Sequence, residues 1–472
     1  SPRPEAVEAF IAAHPGVPQL AQARARLDAA RQRLGQRDQA LAAYRAHLEA
    51  RRWEQAYQAG RDLLSGYAAW LPADAVQLPL VVESQPAGAT VQFEGRTLGT
   101  TPLVTRFPPG QTGELRVELA GWEPATLRMQ DAQASWRSEL VLARRPVWRT
   151  ALGRPVTALL TTPAGGVLAV TSDSLVAAGA DGRVRWRHGL GGDDLGGGRV
   201  RSGSLPALLP DGRVAVALPG KDVAVLDANG NPVARMVTPG EVRGRPLAYI
   251  NEVFGPQARL AAAGDVLSCA TPGGEVKRIP LRRPAVAGPV SFPRGLDRVL
   301  VIATVDGTLV GIEESTPKEV WSLNVQAADC GQLTVAGEMV LVAVLDGSRV
   351  ACWRIANDGA VPAWSQPLGA PAVGDPTIQG QMVLVSSGRE VRRYGLDGTV
   401  LASWNLGAAV GSPPAAAGDL VAVGAMDGML HVFKGDSPAW SSQCGKPVTA
   451  VAVLPGLVVA GLADGSLVAF KP

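Results

Sequence analysis

The sequence predicts a mainly β chain: an eight-bladed β-propeller closed by an N-terminal strand, preceded by a small β-domain and a short α-helical segment. Three observations predict it. Hydrophobic periodicity changes from helical to strand-like near Leu78, a repeat of about 40 residues begins beyond Arg145, and the last repeat lacks its fourth strand. Periods of this length belong to propeller blades and related arrays. The expected segments are residues 1–75, 78–144 and 146–472.

Composition agrees with an ordered, multi-domain chain. Of 472 residues, 46% are hydrophobic and 18% charged, which supplies enough apolar surface to offset the entropy of ordering the backbone. The 55 glycines and 37 prolines make it turn-rich, yet below the level of low-complexity sequence. A net charge of +3, with no Lys/Arg concentration after the first 65 residues, gives no footprint for nucleic acid.

Residues 1 to about 70 place apolar side chains at helical spacing: Leu20, Ala23, Leu27, Ala30 and Leu34, then Leu41, Tyr44 and Leu48. Breaks at His14–Pro18, at Gly35 and near Arg51–Arg52 predict three or four short helices arranged as hairpins. The segment resembles a tetratricopeptide-type hairpin. Its nine arginines from Arg24 to Arg61 fit solvated helix faces, or a surface for an acidic partner.

From Leu78, runs such as Leu80–Glu83, Thr90–Phe93, Leu115–Leu119 and Ser138–Leu142 read as strands. Between them, Pro86 fixes φ at a strand end, Gly88 permits a tight turn and Pro102 stops a short edge. The string Ser84–Val91 with its Pro86-Ala87-Gly88-Ala89 core, then Gly95, Gly99–Leu103 and Gly121-Trp122-Glu123, resembles the PEGA domain. That resemblance implies a non-catalytic module of bacterial surface proteins and of the extracytoplasmic parts of receptor-type kinases.

In the repeat region, a turn glycine after the second strand of each unit recurs at Gly220, Gly264, Gly307, Gly347, Gly388, Gly428 and Gly465, and Ser172-Asp173-Ser174 takes its place in the first unit. Four of these turns are Asp-Gly, ending at Gly307, Gly347, Gly428 and Gly465, and suit a two-residue hairpin with positive φ. A second marker is tryptophan near the end of a unit, at Trp148, Trp186, Trp321, Trp364, Trp404 and Trp440, expected to wedge between neighbouring sheets as a packing residue. Residues 411–445, with Gly411–Pro414, Leu420–Gly424, Asp427–Phe433 and Ala439-Trp440, resemble the quinoprotein-like β-propeller repeat, with similarity extending over 146–472.

The final unit, Thr449–Pro472, holds three strand runs, while Val147–Gly153 reads like the fourth strands at Ala363–Gly369 and Ser403–Gly407. Strand 147–153 is therefore expected to complete the last blade, leaving only short protected edges.

Catalytic signals are sparse. Quinoprotein dehydrogenases share the repeat, but the vicinal Cys-Cys pair of their alcohol-oxidising members is missing, because Cys269, Cys330, Cys352 and Cys444 are far apart. These cysteines read as buried small residues, with no disulfide framework and no zinc spacing. His14, His47, His188 and His431 form no metal motif. The Gly-dense run Gly189–Gly198 reads as a loop between blades, with a weak calcium site through Asp193 and Asp194 as the alternative. No enzyme activity, cofactor or metal is expected.

What remains is surface. Loops joining successive blades carry Asp193, Asp194, Arg199, Arg201, Arg243, Arg245, Arg282 and Arg283, a mixed-charge set suited to a protein segment or an anionic envelope glycan, or to ordinary solvation. The expected role is a non-enzymatic, extracytoplasmic binding or scaffolding region. It is either the sensor part of a membrane-anchored, receptor-kinase-like protein, or an envelope scaffold similar to the propeller lipoprotein of the outer-membrane β-barrel assembly machinery. No run of 18 apolar residues spans a membrane, so an anchor is expected upstream of Ser1.

Overall fold

The computed structural model describes residues 4–15, 18, 20–72, 74–190, 205–209, 211–218, 222–251, 257–270, 275–295 and 297–472. The chain divides into two compact units, Ser1–Arg145 and Pro146–Pro472.

The first unit opens with helices α1 (Pro4–Ala13), α2 (Leu20–Glu49) and α3 (Trp53–Tyr67). The expected break at Gly35 is absent: α2 runs 30 residues straight through it. One glycine costs about 1 kcal/mol against alanine, and its neighbours are strong helix formers. Buried Ala23, Leu27, Ala30, Leu41 and Tyr44 give α2 a continuous packed stripe on both sides of Gly35. Several arginines of this region are engaged locally, Arg31 with Glu8 at 2.7 Å and Arg33 over the Tyr67 ring.

Seven strands follow: β1 (Leu78–Gln85), β2 (Thr90–Phe93), β3 (Arg96–Thr100), β4 (Leu103–Phe107), β5 (Glu114–Glu118), β6 (Ala125–Arg128) and β7 (Arg137–Val141). They form two sheets, β4-β1-β7 and β3-β2-β5-β6, and between β6 and β7 lies the one-turn helix α4 (Met129–Ala132). Their common core holds Leu80, Val82, Val91, Leu115, Val117 and Met129. The strands that sequence periodicity missed, β3, β4 and β6, are short and bury only Phe107 fully, so each presents too few apolar positions to read. Tyr44 of α2 donates its hydroxyl to the Gln77 carbonyl at 2.5 Å, and Leu41, Leu63 and Leu78 share one core, which joins helices and β-domain.

The second unit contains eight four-stranded sheets among the described residues. In sequence order they occupy 156–189, 207–237, 247–280, 285–324, 334–367, 377–405, 415–443 and 448–470, the last joined by strand β8 (Trp148–Ala151). Each is a simple antiparallel meander. The strands suit burial on both faces: runs such as Val167–Thr171, Ser174–Ala178 and Val421–Gly424 are buried at every position, because alternate residues of each enter two different cores.

Strand β8 pairs antiparallel with Ser466–Phe470, in the register Ser466↔Ala151 to Ala469↔Trp148. The eighth sheet also shares a core with the first, in which Val156, Val167 and Val176 meet Ala452, Val459 and Leu467. The Thr449 hydroxyl donates to the Val156 carbonyl at 2.5 Å, adding a bond across the same junction.

The Asp-Gly turns depart from the expected hairpin. Only Asp346-Gly347 has positive φ at both residues, +49° and +65°. At the other three, Gly307, Gly428 and Gly465 sit one place later, each donating its N–H three residues back, to Thr304, Ala425 and Leu462. The aspartate stays in an ordinary conformation and caps the turn, as Asp427 does for the Met429 N–H and Asp464 for the Ser466 N–H.

Candidate interaction surface

In a four-stranded meander, the turn between strands two and three lies at the same end as the loop that leaves strand four. One repeated hydrogen bond ties the two. Val325 N–H donates to Gly307 O at 2.8 Å, Cys444 N–H to Gly428 O at 2.8 Å, and Leu152 N–H to Gly465 O at 2.7 Å. Glycine is required where the loop then passes. A Cβ on Gly307 would stand 2.1 Å from the Ala327 carbonyl, and one on Gly465 2.5 Å from that of Arg154.

The tryptophans brace neighbouring sheets, as their spacing implies. Trp148, Trp186, Trp364 and Trp404 donate Nε1–H to Ala180, Ala228, Leu396 and Asp436 of the following sheet in this order, at 2.8, 2.8, 2.9 and 3.0 Å. The first three rings lie over Gly182, Gly230 and Gly398, where a Cβ would come within 2.7 Å of the indole. Trp440 packs its ring at a tilt of 56° against Phe470 of the eighth sheet, centroids 5.7 Å apart. Trp321 differs: it is buried, with its ring folded over Gly311 of its own sheet.

The described candidate charged residues lie on the loops leading into the third and fourth sheets. Arg243 lies 3.6 Å from Asp265 and 3.6 Å from Glu241, and Arg283 lies 2.8 Å from Asp306. Arg154, which the sequence did not single out, repeats the pattern with Asp173 at 3.1 Å. In all three, a lead-in arginine clamps the aspartate of the turn in the sheet it enters. Asp346 does the same job from the turn side by accepting the N–H groups of Ala328 and Asp329. Asp306 is held below the usual carboxylate range by the Thr304 hydroxyl and by Arg283, and Asp173 by Ser174, Thr171 and Arg154 against the opposing effect of burial. Among the described members of the set Arg282 is the most exposed, at 89%, and only approaches Glu319, at 3.7 Å. Asp193, Asp194, Arg199 and Arg201 lie outside the described residues.

Arg245 is placed differently from its neighbours. Its N–H donates to Gln332 Oε1 at 3.3 Å and its Nε–H to the Pro206 carbonyl at 3.1 Å. The preceding Gly244 touches the fourth sheet so closely that a Cβ would sit 1.7 Å from Gly288 O. Asp375, at the start of the sixth sheet, accepts from the Gln332 backbone N–H and faces the Arg245 charge. Segments leading into the second, fifth and sixth sheets therefore converge on this residue of the third sheet's lead-in. Burial lowers the Arg245 pKa and raises that of Asp375, and each charge partly offsets the other's shift. Sequence spacing gave no sign of this, because the partners come from three separate loops.

Buried, nucleophilic groups are inert. All four cysteines are free and buried, and burial pushes Cys269, Cys330 and Cys444 up to about 12 and Cys352 to about 11. Among the described residues no group of His, Cys, Asp and Glu has metal-binding geometry, and no helix is long and apolar enough to cross a membrane.

The PEGA domain family matches residues 78–134, and the family described as outer membrane protein assembly factor BamB matches residues 141–283 and 262–361. The chain is a PEGA domain followed by PQQ-type propeller repeats. Its propeller fold is shared with BamB from Moraxella catarrhalis, at 14% identity over 70% of this chain and 99% of that one, with a TM-score of 0.51. Sqt1 of Saccharomyces cerevisiae is similar at 12% identity, 69% and 98% coverage and a TM-score of 0.54. The computationally designed Ika8 protein is similar at 15% identity, 68% and 98% coverage and a TM-score of 0.54. At such identities the likeness concerns the fold. No curated protein matches the sequence.

Proposed function

We propose that the chain is a non-enzymatic protein-binding scaffold of the bacterial cell envelope, built on an eight-bladed propeller that strand β8 closes. Closure is supported by the junction of the eighth and first sheets. Trp148 docks on Ala180 there as Trp364 and Trp404 dock between internal sheets, and Leu152 N–H meets Gly465 O as Val325 N–H meets Gly307 O. A closed ring of loops fixed by Arg–Asp clamps is a rigid face, which lowers the ordering cost of binding a partner.

The observation that carries the functional reading is the match of residues 141–361 to the outer membrane protein assembly factor family. It supports an assembly-type scaffold with protein partners and an extracytoplasmic location, to which the PEGA domain also belongs by type. The loop face is the docking surface, with Arg282, at 89% exposure, as its most accessible lead-in arginine among the described residues.

The test is capture from envelope extract on immobilised full chain. The reading expects specific proteins to be retained and to be lost from an Arg243→Ala/Arg282→Ala/Arg283→Ala variant that melts like the wild type. Retention of nothing, or capture indifferent to these residues, overturns the loop-face assignment. Alcohol-dependent dye reduction after incubation with pyrroloquinoline quinone and Ca²⁺ would overturn the non-enzymatic one.

A further inference from the structure

Three lead-in arginines occupy the same place in their repeats, each just before the proline that opens a sheet: Arg154 before Pro155, Arg245 before Pro246 and Arg283 before Pro284. Two of them serve as clamps, Arg154 on Asp173 and Arg283 on Asp306, in the turn of the sheet each enters. In the third sheet the turn aspartate, Asp265, is taken by Arg243 instead, at 3.6 Å. Arg245 is thereby released from the clamp and turns to the lead-ins of other sheets.

Those surroundings leave its charge unmatched. The half-buried side chain gives its Nε–H to the Pro206 carbonyl at 3.1 Å, and among the described residues neither Nη has a hydrogen-bond partner. Asp375 acts on Arg245 as a nearby charge but forms no ion pair with it. Arg259 and Arg393, also withdrawn from solvent, pair directly with Glu314 and Asp436. A guanidinium that has exchanged water for one neutral carbonyl retains a desolvation cost that an incoming anion offsets.

We propose that Arg245 is a recognition site for a carboxylate carried by an acidic segment of a protein partner. This rests on the scaffold reading above and names the chemistry of its occupant. The free Nη edge suits a carboxylate, which a guanidinium holds with two parallel hydrogen bonds. A phosphate fits less well, because the Asp375 charge beside the site opposes a second negative charge. Position favours a protein segment. The lead-ins of the second, third, fifth and sixth sheets meet at Arg245. In the proposed ring the second and sixth sheets stand opposite each other, so their meeting point is the axis of the loop face, where a docked partner reaches it with one side chain.

Isothermal titration of the full chain with a capped pentapeptide carrying one central glutamate, with its glutamine counterpart and with sodium acetate tests this. The glutamate peptide is expected to bind, and the glutamine peptide to bind at least about tenfold more weakly, as loss of one partner of a charge pair requires. Arg245→Gln raises the dissociation constant of the glutamate peptide by a similar factor. Arg245→Lys raises it less, since lysine keeps the charge without the two-pronged donation, and Arg154→Ala leaves it unchanged. Equal affinity for both peptides, no binding of either at up to about 10 mM, acetate bound as tightly as the glutamate peptide, or binding that survives Arg245→Gln overturns the proposal. The peptide comparison uses the unaltered chain, so it decides the matter even where melting curves show that Arg245→Gln weakens the fold. Capture from envelope extract through Arg243, Arg282 and Arg283 does not involve Arg245, so failure here leaves the scaffold reading standing.

Discussion

Truncating Trp148 to alanine tests the junction between the first and last sheets. The indole is partly buried, lies over Gly182 and donates to Ala180 O at 2.8 Å. Full truncation of a core tryptophan costs about 3–5 kcal/mol. Half of that for a half-buried ring, with about 1 kcal/mol for the hydrogen bond, gives about 3 kcal/mol. Equilibrium urea unfolding of Trp148→Ala should show this loss, with Trp404→Ala, at an internal junction, as the reference and the larger effect. A second substitution isolates the contact. Gly182→Ala introduces a Cβ 2.5 Å from the ring at a φ of +77°, so part of its cost is collision with Trp148 and part is backbone strain. In the Trp148→Ala background the collision disappears and only the strain remains. A Trp148→Ala change below about 0.5 kcal/mol, the range of ordinary surface substitutions, or strict additivity in this cycle, would refute the reasoning.

Other outcomes follow from the electrostatics. Glu314 is 1% exposed and paired with Arg259, so Glu314→Ala strands a buried guanidinium and should cost about 3–5 kcal/mol in urea unfolding. Arg154→Ala removes an exposed partner of Asp173 and should change stability by less than about 1 kcal/mol in the same assay. Asp306 has a folded pKa below its unfolded value, so its contribution is present above the normal carboxylate pKa and lost as pH falls through the lower folded one. Asp306→Asn should therefore flatten the acid limb of melting temperature against pH below about pH 4, and an unchanged limb would contradict the assignment.

The repeat was legible because each sheet must reuse the same turn, and the turn glycine sits where a neighbouring loop leaves no room for a Cβ, as at Gly307 and Gly465. The tryptophan markers were legible for a related reason, since Trp148, Trp186, Trp364 and Trp404 dock on the hairpin of the next sheet. Helix boundaries were less so: Gly35 read as a break, but tertiary packing on either side carries α2 through it. The turn type was misread because Asp-Gly serves two geometries, and only the pairing register decides between them. The charged loops were found by composition, yet their roles were not. Arg243 and Arg283 are clamps within their own sheets, and Arg245 meets groups from distant loops. Such convergence depends on how the sheets are arranged in space, which no local pattern encodes.

Amide hydrogen exchange on the full chain and on a deletion of residues 146–152 addresses the propeller's closure most directly. The account predicts that Leu467–Ala469 and Val167–Ala178 are protected like internal sheets in the full chain, and that the deletion speeds exchange in both segments while sparing the fourth and fifth sheets. Protection unchanged in either segment would contradict it.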